Sequence, residues 1–134
     1  MTDNEINRLV AERVMGWSIY HYDKDIAANC YYILVDTELN PVAAFDGWHT
    51  GERKTEAEAW ADAPAYCTDP AAWAGLLVWL KEQGNKPQLI YDGHDWWASL
   101  FARDGWARKG IDADSPGRAL ALAALRAYGV EVGI

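Results

Sequence analysis

Between Arg103 and Arg118 the chain gathers four basic side chains, Arg103, Arg108, Lys109 and Arg118, around Trp106 and a Ser115-Pro116-Gly117 run. Basic groups attract an anion, and an indole stacks on a planar group. Serine followed by proline reads as the start of a helix, whose first-turn amides point outward at the positive end of the helix dipole. The segment is therefore the best anion-binding candidate of the sequence. It suits a small phosphorylated or nucleotide-like guest, with Arg103, Trp106, Arg108, Lys109, Ser115 and Arg118 as ligand-binding residues. The plain alternative is a solvated loop whose arginines pair with Asp104, Asp112 and Asp114, since exposed ion pairs are common and worth little.

A second constellation is Asp92-Gly93-His94-Asp95. Two carboxylates and an imidazole could hold a metal or act as an acid–base pair, which would make the chain a small metal-dependent hydrolase. The same four residues are also what a plain turn looks like. Neither His-x-x-x-His nor Glu-x-x-His spacing occurs, and His21 and His49 lie far off in sequence, so no metal ligands, cofactor or catalytic residues are assigned. Cys67 precedes Thr68 and Asp69 at a helix start, where a dipole stabilises a thiolate. With no histidine near it in sequence to act as base, it reads as a buried cysteine. Glu52, Glu56, Glu58 and Asp62 form an acidic stretch that could serve as a decoy for nucleic acid or as a protein-interaction face, although Arg53 and Lys54 interrupt it.

These residues need elements to position them. Asp69 and Pro70 open a helix that carries Trp73, Leu76, Leu77 and Leu80 at helical spacing and stops at Gly84; its apolar stripe is broad enough to imply a core helix. An earlier helix spans residues 2 to 16, with Thr2 and Glu5 spaced as a capping box and Ile6, Leu9, Val10 and Val14 on one face. A third opens at Asp114 or Ser115 and closes at Tyr128-Gly129. Residues 17 to 29 read as a loop with aromatic anchors. The runs 30–36 and 42–45 form one hairpin, and 88–91 with 96–101 form a second. Residues 46–51 make a tip that carries Trp48 and His49, and residues 55–60 make a short helix stopped before Pro64. The expected fold is α+β: one antiparallel sheet of about four strands from two hairpins, packed with three helices as an α/β/α sandwich, in a single domain over residues 1–134.

Composition narrows the partners. The chain of 134 residues carries 12 basic and 20 acidic side chains, a formal charge of −8, which repels a phosphate backbone and argues against general nucleic-acid binding. No apolar run reaches the roughly 20 residues that span a bilayer, so no membrane partner is expected. With two cysteines, an acidic beginning unlike a signal peptide and 8 Trp among an apolar half, the composition points to a globular protein of a reducing cytoplasm. A homo-oligomer is left open.

Several stretches resemble the phage ABA sandwich domain family: Val14-Met15-Gly16-Trp17, Pro64-x-Tyr66-x-Thr68-Asp69 leading into Ala-Ala-Trp, the aromatic second hairpin, and Asp114-Ser115-Pro116 leading into Ala-Leu-Ala-Ala-Leu-Arg-Ala. The resemblance covers most of the chain, apart from residues 18 to 30, and Tyr-x-Thr-Asp is its most specific part. The family usually shows serine at Cys67 and an aliphatic residue at Pro70. The resemblance implies a phage or prophage origin, the cytoplasm of an infected or lysogenic bacterium, and an α/β/α sandwich. It brings no catalytic residues. Many small accessory proteins of phages act by binding, so by class a host signal sequestered as counter-defence, or a host protein contacted, is the expected role.

Overall fold

The computed structural model describes residues 1–24, 29–42, 53–101 and 110–132. The expected tip at 46–51 with Trp48 and His49, the run 43–45, and the stretch 103–109 with Arg103, Trp106, Arg108 and Lys109 lie outside the described residues. The chain divides into two compact units: Met15–Ala63, and Met1–Val14 together with Pro64–Ile134.

In the discontinuous unit, α1 (Asp3–Leu9) begins on the capping box expected from Thr2 and Glu5. The Glu5 amide donates to Thr2 Oγ1 at 3.2 Å and the Thr2 amide to Glu5 Oε2 at 3.1 Å, satisfying two donors that a helix start leaves open. The single helix expected to residue 16 changes instead to a π-helical turn over Val10–Val14. Ile6, Val10 and Val14 are buried as their spacing requires.

The helix α3 (Pro70–Glu82) starts where Asp69 accepts from the Ala71 amide at 3.1 Å, and the chain turns away at Gly84, whose φ is +87°. Strands β3 (Lys86–Tyr91), β4 (Trp96–Phe101) and β5 (Ile111–Ala113) form an antiparallel sheet in that order, with Leu89 opposite Ala98 and Ala98 opposite Ile111. The strand β5 was not expected, because three residues inside a polar stretch carry no pattern of their own. Across the sheet lies α4 (Pro116–Ala127), capped by Ser115. Its Ala119 and Ala123 pack on Ala98, with Leu89, Trp96 and Ala113 against them. Gly117 and every residue from Ala119 to Leu125 are buried. The core helix is therefore α4; α3 buries only Leu76 and Leu80 fully and leaves Val78 52% exposed. Alanine and leucine on all sides let α4 bury its whole circumference, whereas α3 keeps one apolar face outward.

In the unit Met15–Ala63, the stretch expected to be a loop forms β1 (Ser18–Lys24), paired antiparallel with β2 (Asn29–Val35) in a register that sets Tyr20 opposite Ile33 and Ser18 opposite Val35. Ile19, Tyr20 and Tyr22 favour a strand; Asp23, Lys24 and Asp25 at its end disguise that preference in the sequence. Among the described residues, the chain after β2 returns to it at a bridge from Val35 to Pro41 and a bond from the Val42 amide to the Leu34 carbonyl at 2.9 Å. Between them Asp36 accepts from the Glu38 and Asn40 amides at 2.8 and 2.9 Å, which, with the Asn40 bond foremost, holds its carboxyl below the usual range. A short helix, α2 (Glu56–Trp60), is capped by Thr55 and packs on β2. Arg53 bonds the Tyr32 backbone in both directions at 2.8 Å and reaches Asp62 at 2.8 Å. The architecture is thus α+β with two antiparallel sheets of two and three strands and four helices among the described residues, in place of one sheet of about four strands with three helices.

Candidate functional site

The first turns of α3 and α4 come together around the carbonyls of Tyr66 and Cys67. Ser115 Oγ accepts from the Arg118 amide at 3.3 Å and donates to the Cys67 carbonyl at 3.2 Å, so one hydroxyl both caps α4 and ties it to the start of α3. Gly117 makes the approach sterically feasible. A Cβ there would stand 2.2 Å from the Tyr66 carbonyl oxygen and 2.8 Å from Trp73 Cδ1. From the other side, Asn7 of α1, itself buried, accepts from the Cys67 amide through Oδ1 at 3.1 Å.

Where these elements meet there is a cleft of about 720 Å³, with Pro70, Trp73 and Pro116 as its apolar wall and Thr68, Ser115 and Arg118 as polar groups. Asp3 and Asp114 line it as well. Pro116 has no amide, the Arg118 amide is held by Ser115 Oγ, and the Ala119 amide bonds the Ser115 carbonyl at 3.0 Å. Among the described residues the Gly117 amide is the first-turn donor of α4 with no bond. Arg118 is committed within the chain: Nη1 pairs with Asp3 Oδ1 and Nη2 donates to the Met1 carbonyl at 2.8 Å. Of the six residues expected to bind a ligand, Ser115 and Arg118 thus stand at one cleft, and the other four lie outside the described residues. Gly117 stands there with them, as the Ser115-Pro116-Gly117 run suggests, and Asp3 joins without any signal in the sequence, because its partner Arg118 lies 115 positions away.

Cys67 is buried, and its thiol is pushed up to about 12, first by burial and then by the Asp3 charge, with Arg118 pulling the other way. It stays protonated, and a thiol is a poor nucleophile. Its neighbour Tyr66 is raised by burial alone.

The Asp92–Asp95 segment is a closed turn. Asp92 Oδ1 accepts from the Asp95 amide at 2.7 Å and the His94 amide at 2.8 Å, Gly93 takes φ +94°, and the His94 side chain is 92% exposed. The Asp95 and His94 amides, in that order, hold the Asp92 carboxyl below its usual range. Its carboxylate folds the turn. Among the described residues no group of three His, Cys, Asp or Glu side chains is placed to hold a metal ion. Nor is any helix among them long and apolar enough to cross a membrane.

The fold is similar to that of a phage protein from Bacillus cereus ATCC 14579, with a TM-score of 0.59 over 99% of this chain and 93% of that one. At 15% sequence identity the likeness is one of fold. No family model and no curated protein matches the chain.

Proposed function

We propose that the chain is a phage- or prophage-encoded accessory protein, built as the α/β/α sandwich of the family it resembles, that acts by binding in the cytoplasm of its bacterial host. Its ligand is a small phosphorylated or nucleotide-like signal, sequestered as counter-defence. The observation that carries this reading is the cleft where the first turns of α3 and α4 meet, with Arg118 and the Gly117 amide as anion donors and Trp73 as a surface for a planar group. Arg103, Trp106, Arg108 and Lys109 complete the site in this reading. The fold shared with a phage protein supports the lineage. No catalytic residue and no cofactor is assigned.

Calorimetry against a panel of mono- and cyclic nucleotides tests the reading. Binding by the wild type that falls at least tenfold in Arg118→Ala supports it, and no heat with any nucleotide removes it. A second reading, contact with a host protein, is favoured by the outer face of α3. There Ala71, Ala74, Gly75 and Val78 are exposed, and no charged residue occurs between Pro70 and Leu80. Gly75→Arg separates the two: it abolishes a protein contact and leaves nucleotide binding intact.

A further inference from the structure

We propose that Asp3 is a carboxylate latch on the cleft, which a phosphate must displace from Arg118 before it can enter; the proposal rests on the ligand-binding reading above. Both ends of the Arg118 fork are filled by the first three residues, Nη1 by Asp3 Oδ1 and Nη2 by the Met1 carbonyl. With the latch closed, the cation of the described lining, Arg118, is already neutralised by Asp3, so it offers an incoming anion no free charge. With Asp3 turned away, Arg118 balances Asp114, and the positive end of α4 with the Gly117 amide decides the local field.

The latch is cheap to open. The Arg118 and Asp3 side chains are 27% and 45% exposed, so solvent reaches the pair and screens it. Opening does not require α1 to move, because Ile6 is fully buried and Asn7 is bonded to the Cys67 amide, whereas Met1 and Thr2 are exposed. A phosphomonoester brings up to two negative charges and three acceptor oxygens, and so outcompetes a carboxylate that holds Arg118 through one oxygen. A free monocarboxylate has no such advantage. The latch therefore makes the site selective for phosphate over carboxylate.

Calorimetric titration of inorganic phosphate, adenosine monophosphate and acetate against wild type, Asp3→Asn, Arg118→Gln and the double variant, at one low ionic strength, tests this. The expected result is that Asp3→Asn binds the two phosphates roughly threefold to tenfold more tightly than wild type. Arg118→Gln and the double variant bind neither, and acetate does not bind to the wild type. Equal affinity in wild type and Asp3→Asn overturns the latch and leaves the site standing. No phosphate binding by either overturns the site and the latch together. A gain that persists in the double variant is a general charge effect and overturns the latch. Asp3→Ser, which keeps a residue favoured at helix starts, repeats the comparison if Asp3→Asn lowers the melting temperature.

Discussion

At the scale of single residues, Gly117 and Cys67 make the sharpest demands. The first turn of α4 lies so close to the Tyr66 carbonyl that Gly117→Ala must push backbone against backbone. We expect it to cost about 1–3 kcal/mol, the usual range for overpacking, read as a lowered urea midpoint with an unchanged slope. An unchanged midpoint would mean that the two helices separate freely. The Cys67 thiol is raised in the folded chain, so its contribution to stability is fully present below the ordinary thiol value of 9.0 and is lost as pH climbs towards about 12. Cys67→Ser is expected to flatten the fall in stability above pH 9, and in a Cys30→Ser background native protein is expected to resist a thiol reagent that labels Cys67 at once in urea. The buried character of Cys67 was legible in the sequence from the absence of a nearby histidine. The Asp3–Arg118 pair was not, because a contact across 115 positions leaves no local spacing to read.

Elements show which signals a sequence carries. Asp69-Pro70 and Ser115-Pro116 announced two helices because a cap and a proline are local chemistry, and both helices begin there. Ser115→Ala removes the cap of α4 and its tie to the Cys67 carbonyl; a loss of about 0.5–2 kcal/mol is expected by chemical denaturation. Sheet partners are non-local, and there the reading strayed: β1 was hidden by the charges at its end, and β2 pairs with it from Asn29 to Val35. The rank of the helices was also illegible, since broad apolar stripes mark both α3 and α4 and only packing distinguishes the buried one. The Asp92 turn belongs to this scale. Its depressed carboxyl contributes stability above the ordinary carboxyl range and loses it as pH falls through the depressed value. Asp92→Ala should therefore weaken the β3–β4 hairpin at neutral pH and reduce the further loss on acidification, measured by amide exchange of Ile90 and Trp97.

Over the whole molecule, the chain leaves one unit at residue 14 and returns to it at residue 64. The described residues of the unit between form a two-stranded sheet and one short helix, and two strands alone are marginal in water. We expect one cooperative transition, with tryptophan fluorescence and far-ultraviolet dichroism coincident in urea; two separated transitions would make the units independent domains. The net charge of −8 repels a nucleic-acid strand at long range, so the proposed partner is a small ligand held by local donors. The central claim is that the cleft between the first turns of α3 and α4 is where such a ligand sits. Nuclear magnetic resonance titration with adenosine monophosphate tests it most directly: amide shifts grouped at residues 67–73 and 115–119 are predicted, and shifts absent there, or grouped elsewhere, would contradict it.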